Sequence, residues 1–291
     1  MGSPTGADPR HWRSLPLGQR TLLLGVINMT PDSVSGDGLG TDVARAVAQG
    51  RRLVEAGANV LDVGGESTRP GATPVDAEEE LRRVVPAIEA LAAELPVPIS
   101  VDTTKGVVAD AGLRAGACIV NDVSGLHVDP SLAIAVAQRD AVLILGHWVR
   151  REWGTGIPAG GDPVTAVCAH LTASAARARD AGVARAAIWL DPGLGFGKRA
   201  ATSLAIVRGL ERIVAMGYPV AVGPSRKAFI GDVLHVPAAE DWEGAATLVT
   251  LAIAGGAQIA RVHDVHRLAR VVRMADAMLA KRPIASVGIS S

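Results

Sequence analysis

The 291-residue sequence predicts an α/β protein, a single (β/α)8 TIM barrel with its active site at the C-terminal ends of the strands. Three observations predict it. Eight short apolar runs recur along the chain, each leading into a polar loop and most into a segment of helical period. The runs are continuous rather than alternating, as parallel strands buried on both faces require. The length suits a barrel, which runs to about 250 residues, and 48% hydrophobic content fills a large core. A doubly wound open sheet is the alternative, but eight regular units without an evident second domain favour closure.

Each unit follows from its residues. Residues 22–28 form a strand that ends in a polar residue and is followed by loop composition at 29–38. Thr41 or Asp42 caps a helix carrying Val43, Ala46, Val47, Leu53 and Val54, and Gly57 ends it. The second strand, 60–63, stops at Gly64 and Gly65 and hands over to Glu66, Ser67, Thr68 and Arg69 before Pro70 and Gly71 turn the chain. Its helix, 76–95, opens with Glu78, Glu79 and Glu80, the sign the helix dipole favours. Strands at 99–102 and 118–122 lead into helices at 105–115 and 130–139. The fifth strand, 141–145, ends near His147; the longest loop, 148–161, and an Ala-rich helix to 181 follow. The sixth, 187–191, runs into 192–198; the seventh, 219–223, into 224–227; the eighth, 258–263, into a closing helix to 280. Residues 1–20 read as a flexible leader, 21–282 as the barrel domain and 283–291 as a tail.

Composition excludes several classes. Lys+Arg and Asp+Glu number 29 each, so nothing draws the chain generally to nucleic acid or an anionic membrane, although a few placed cations can build a local anion site. Cys118 and Cys168 are the only cysteines and lack metal-ligand spacing, which points to a reduced, cytoplasmic setting. The N-terminus lacks a signal-peptide core, and no run approaches the roughly 18 apolar residues of a membrane span. Gly193, Gly195 and Gly197 lack Rossmann spacing, and a P-loop register puts Pro192 and Arg199 at obligatory positions. His263 and His266 have no third ligand for a transition metal. His127, His170 and His235 read as surface or loop residues, and the Arg-rich helix at 267–273 as a solvated face.

Function is legible in where the polar residues fall. Asn28, Glu66, Asp102, Asn121, His147, Asp191, Lys227, Arg261 and His263 all lie at or just past strand ends, which converge on one mouth in a barrel. One polar strand end is usually a helix cap; nine of both signs at one rim are a site. Arg261 and His263, with Asn28 on the adjoining strand, suit a phosphate or pyrophosphate. Asp102, Asn121 and Asp191 suit a planar heterocycle with adjacent N–H donors, and Lys227 a carbonyl on it.

The motifs Gly25-Val-Ile-Asn-Met-Thr-Pro-Asp-Ser33, Gly65-Glu-Ser-Thr-Arg-Pro-Gly71, Ser100-Val-Asp-Thr103, Asn121-Asp122, Asp191-Pro-Gly-Leu-Gly-Phe-Gly-Lys198, Ser225-Arg-Lys227 and Arg261-Val-His-Asp264 resemble the dihydropteroate synthase family, in order, over residues 22–280. The resemblance implies condensation of 6-hydroxymethyl-7,8-dihydropterin diphosphate with 4-aminobenzoate, giving 7,8-dihydropteroate and pyrophosphate in folate biosynthesis. By it, Asp102, Asn121, Asp191 and Lys227 hold the pterin. Asn28, Arg261 and His263 hold the diphosphate, bridged by Mg2+ near Asn28. Thr68, Arg69 and Pro70 belong to a loop that closes over the site, with Thr68, Arg69, Asp102 and Lys227 as the catalytic set. Ser225, Lys227 and Phe196 line the aminobenzoate side. It also implies a homodimer through the last helices.

The chain departs from the family pattern in places. Val34, Gly36 and Asp37 stand in the first loop where an aromatic residue and an aspartate one position earlier are usual. Gly146 replaces a methionine that packs on the pterin, with Trp148 nearby to fill the gap, and Ala228 follows Lys227 in place of a small polar residue. These departures keep two other readings open: a synthase-like enzyme with a different amine acceptor, and a noncatalytic pterin-binding paralogue.

Overall fold

The computed structural model describes residues 8–31, 38–69, 72–237 and 241–279. The eight runs form eight parallel strands: β1 (Leu22–Asn28), β2 (Val60–Gly64), β3 (Ile99–Asp102), β4 (Ile119–Asp122), β5 (Val142–Gly146), β6 (Ile188–Asp191), β7 (Ala221–Val222) and β8 (Ile259–Val262). The hydrogen-bonded order β6-β5-β4-β3-β2-β1-β8-β7 has its two ends joined by a parallel bridge between Leu190 and Val220, so the sheet closes. Closure removes the exposed edges an open sheet would have. β7 is shorter than expected because Pro219 has no N–H to donate, although its carbonyl accepts from Leu190 across the seam at 2.8 Å.

Ten α-helices among the described residues surround the sheet: α1 (Val43–Ala56), α2 (Ala77–Glu94), α3 (Gly106–Arg114), α4 (Leu132–Gln138), α5 (Pro163–Asp180), α6 (Ala200–Arg208), α7 (Leu210–Val214), α8 (Ala228–Leu234), α9 (Trp242–Ala254) and α10 (Val265–Met278). Four start on an aspartate whose carboxylate accepts a backbone N–H of the first turn: Asp42, Asp76, Asp162 and Asp264. Strand residues such as Ile27, Leu61, Val101, Leu143 and Leu190 are inaccessible to solvent, the core lying between the strands and the helices.

Residues 8–20 are not the loose leader expected. Trp12 is buried, and its indole N–H donates to the Asp140 carbonyl at 2.8 Å. Arg13 pairs with the Asp140 carboxylate. These contacts lie at the turn before β5, the end of the barrel that carries stability rather than chemistry. The expected tail at 283–291 lies outside the described residues.

Candidate active site

Pleat alternation and register aim one set of side chains into the mouth. Asp102 on β3 is paired in register with Asn121 on β4, as Gly146 on β5 is with Asp191 on β6. From β8, Arg261 reaches across: its Nε donates to Asp62 Oδ2 and a terminal guanidinium nitrogen to Asp102 Oδ2, both at 2.6 Å. Asn121 Nδ2 donates to the same Asp62 oxygen at 3.2 Å. The other oxygen, Asp62 Oδ1, is buried without a hydrogen-bond partner among the described residues. Asp62 was absent from the candidates read from sequence. Its signal was a charged residue inside the apolar run 60–63, which can be buried only if a partner comes from elsewhere. Arg261, expected on the diphosphate, is thus committed to two carboxylates.

Burial sets the protonation of this cluster. It pushes the Asp102 carboxyl up to about 7, Arg261 opposing and the Asp62 and Glu80 carboxylates adding to the rise. It also raises Asp191, whose Oδ1 accepts the Gly193 N–H at 2.7 Å. The Lys227 ammonium is pulled down to about 8, burial leading and the Arg261 charge adding to it. Lys227 Nζ lies 3.8 Å from the centroid of the Phe196 ring, so these two expected site residues meet. Trp148 also packs on Phe196, tilted, with ring centroids 5.5 Å apart, and lies under the Arg150 guanidinium.

Lys198 is structural. Its buried ammonium donates to the carbonyls of His147 at 2.6 Å, Gly193 at 2.7 Å and Phe196 at 3.3 Å, tying the end of β5 to the loop after β6. Gly193 sits at φ 66°, and a Cβ there would lie 2.0 Å from the His147 carbonyl oxygen. Lys198→Met should therefore lower stability by about 2–5 kcal/mol, because it strands buried acceptors. Turnover per folded molecule should fall much less. Thermal unfolding alongside initial rates checks this, and a large loss of turnover at unchanged melting temperature would contradict it.

The loop after β2 is anchored at its root. The Lys105 ammonium pairs with Glu66 at 2.6 Å and with the fully buried Glu80 at 2.5 Å, and Glu66 also accepts the Val75 N–H at 3.1 Å. Glu66 thus ties both ends of the loop. Thr68 and Arg69 stand half-buried between, their side chains making no hydrogen bond to a described residue; Pro70 lies outside the described residues. Ser225 is buried and its hydroxyl meets His263 Nδ1 at 3.1 Å, so these two support each other. The buried Asp241 carboxylate faces the backbone N–H groups of Arg226 and Lys227 and fixes that turn, a contact nothing in the sequence suggested. Asn28 ends β1 at the rim, its amide without a hydrogen bond to a described residue.

The model of the family described as pterin binding enzyme matches residues 24–263. The chain belongs to that family. It is 42% identical over 279 residues to the dihydropteroate synthase of Synechocystis, covering 94% of each chain. To the enzyme of Bacillus subtilis it is also 42% identical, covering 90% of each. Among solved structures, the Xanthomonas albilineans dihydropteroate synthase with 4-aminobenzoic acid matches at a TM-score of 0.83 and 40% identity, over 91% of this chain and 94% of that one. The Yersinia pestis dihydropteroate synthase with a sulfonamide drug matches at 0.85 and 34%, over 92% and 97%.

Within this pterin-binding chain the departures acquire physical reasons. A Cβ on Gly146 would lie 2.6 Å from the Cα and carbonyl oxygen of Val123, so the turn after β4 occupies the space a methionine would use. Trp148 does not fill that gap; it backs Phe196. His127, in the loop after β4 as expected, and His170, on α5, are both half-buried. They stack at 4.7 Å between ring centroids, and His170 meets the buried His147 edge-on at 4.6 Å. Burial, with cationic neighbours, lowers the pKa of all three and keeps them neutral. They brace the β5 end, with His147 turned into this stack rather than serving the site. Among the described residues no cluster of His, Cys, Asp or Glu could hold a metal ion. Val34, Gly36 and Asp37 lie outside the described residues.

Proposed function

We propose that this chain acts as a dihydropteroate synthase, joining 6-hydroxymethyl-7,8-dihydropterin diphosphate to 4-aminobenzoate. The observation that carries the reading is the charge balance of the mouth. Three carboxyl groups, the inaccessible Asp62 and the half-buried Asp102 and Asp191, face two cations, Arg261 and Lys227, and this acid-rich lining suits a ring that becomes cationic.

The pterin N–H edge donates to Asp191 and Asn121, and Lys227 donates to its carbonyl. The bond between the pterin methylene carbon and the diphosphate oxygen breaks, and its electron pair leaves with pyrophosphate. Asp102 stabilises the cation left on the ring. The amine nitrogen of 4-aminobenzoate, placed against Phe196 and Lys227 beside Ser225, bonds to the methylene and releases a proton. Thr68 and Arg69 close over the leaving group beside His263. The Asn28 amide fits Mg2+, which takes few protein ligands when phosphates supply the rest, and the ion would neutralise charge on the leaving group. Exposed Leu251, Met274 and Met278 on α9 and α10 support a homodimer through these helices. No helix among the described residues is long and apolar enough to cross a membrane, in keeping with a cytoplasmic enzyme.

The deciding experiment is pyrophosphate release from the pterin diphosphate with Mg2+, with and without 4-aminobenzoate. Release together with dihydropteroate is expected. Release without condensation would mean another amine acceptor, and tight pterin binding with no release would mean a noncatalytic binder.

The pH profile follows from two groups. Asp102 is charged above about 7 and Lys227 below about 8. Both carry their charges only in between, so kcat/KM for the pterin diphosphate should be bell-shaped with its maximum there. Asp102→Asn should flatten the acid limb of whatever activity survives; an unchanged acid limb would assign it to another group.

A further inference from the structure

With five Trp, two Phe and one Tyr in the whole chain, aromatic rings are scarce, yet Trp148, Trp153 and Phe196 meet at one side of the mouth. Two of the three come from the loop after β5, the longest in the chain and one that no step of the proposed reaction uses. Trp148 is half-buried and lies against Phe196 with ring centroids 5.5 Å apart and planes tilted by 58°. Its own loop braces it. Trp153 meets it edge-on at 5.7 Å, and the Arg150 guanidinium stands 4.2 Å from its ring centroid. The buried Thr155 hydroxyl donates to the Trp148 carbonyl at 2.5 Å and accepts the Arg150 N–H at 2.9 Å, closing a compact turn over 148–155.

Phe196 needs such a brace. It sits between Gly195 at φ 77° and Gly197 at φ 65°, residues whose backbone is free to take many angles. The same loop fixes its main chain: the Val149 N–H donates to the Phe196 carbonyl at 3.2 Å, and a Cβ on Gly197 would lie 2.4 Å from the Val149 carbonyl oxygen. That anchors where the ring starts but not where it points. Among the described residues, the ring and cation contacts on the half-buried Phe196 side chain are with Trp148 and with the Lys227 ammonium. The ammonium ends a flexible four-carbon stem. The indole is large and rigid, with two side-chain torsions, and is itself held on two sides. Trp148 is therefore the member of the pair that sets the tilt of the Phe196 ring.

We propose that Trp148 is a positioning residue for the amine acceptor, holding the Phe196 ring at the angle that receives the flat face of 4-aminobenzoate. The proposal rests on the synthase reading, which places the acceptor against Phe196. The test is steady-state kinetics of the full-length protein with each substrate varied in turn, alongside thermal unfolding. Trp148→Ala should raise KM for 4-aminobenzoate about three- to tenfold, the worth of one aromatic pair. KM for the pterin diphosphate should stay within about twofold, because the Asp102 and Asp191 charges beside Lys227 remain whether or not the ring turns. Trp148→Leu keeps apolar bulk without a ring and should show the same acceptor-selective rise. Trp148→Phe keeps an aromatic contact and should return the acceptor KM to within about twofold of wild type. Phe196→Ala should raise that KM at least as far, and adding Trp148→Ala to it should change nothing more.

An unchanged acceptor KM in Trp148→Ala and Trp148→Leu overturns the assignment. Equal rises for both substrates, or no recovery in Trp148→Phe, would show a general loosening of the mouth and overturn it too. Additive losses in the double variant would mean that Trp148 does not work through Phe196, which overturns the route proposed. The two possible failures are told apart by the wild-type protein. If it forms no dihydropteroate, the synthase reading fails and this assignment with it; if it does, and the variants keep their acceptor KM, this assignment fails alone.

Discussion

Arg261→Met should destabilise the fold by about 3–5 kcal/mol, the cost of leaving a buried ion pair with one partner removed. Here two carboxylates lose one cation. Asp62 is inaccessible and Asp102 half-buried, and Arg261 holds each at 2.6 Å. Asn121 alone cannot balance them. The deficit should depend on pH with a definite sign. Without Arg261, Asp102 loses the charge that opposes its rise, and its folded-state pKa climbs further above its unfolded value. The folded state then binds more protons than the unfolded one, so stability is regained as pH falls through the folded-state values. Denaturant unfolding of wild type and variant should differ most at pH 8 and converge toward pH 5. Pterin-diphosphate binding should be lost throughout, because the cluster that presents Asp102 and Asn121 is disordered. A variant as stable as wild type at pH 8 would show the pairing to be dispensable.

The barrel was legible because parallel strands covered on both faces must be continuously apolar, and several runs ended in a residue such as Asn28, Asp102 or Asp191 that apolar burial would reject. Boundaries moved by a residue or two where ladder bonds decide them, as at Pro219. The site was legible to the extent that its residues stand at strand ends. Asp62 stands inside a strand, and its partner Arg261 is 199 positions away, so only closure of the barrel brings the pair together. Asp241, under the Arg226–Lys227 turn, and the histidines that stack from the β4 loop through α5 to β5 were hidden for the same reason. Trp12 packs by tertiary contact alone. For Asp241, the histidines and Trp12 the local sequence was consistent with an ordinary loop or surface position, and only packing distinguishes them.

Asp191→Ala should abolish pterin-diphosphate binding with little harm to the fold. Each charge-assisted hydrogen bond to the pterin edge is worth about 1.5–3 kcal/mol. Losing two weakens binding roughly 10²- to 10⁴-fold. The stability side runs the other way. Burial already raises the Asp191 pKa, so the charged carboxylate is held at a cost that alanine relieves. What alanine removes from the fold is the acceptor for the Gly193 N–H. Asp191→Asn separates the two roles, because an amide oxygen still accepts from Gly193 while its NH2 meets the pterin donors with another donor. The asparagine variant should therefore match wild type in melting temperature and match alanine in lost affinity, read by calorimetry with the pterin diphosphate. Wild-type affinity in either variant would sink the assignment of Asp191 to the pterin. If alanine alone lost binding, Asp191 would act through the Gly193 turn that Lys198 also holds, and the contact with the ring would belong to Asp102 and Asn121.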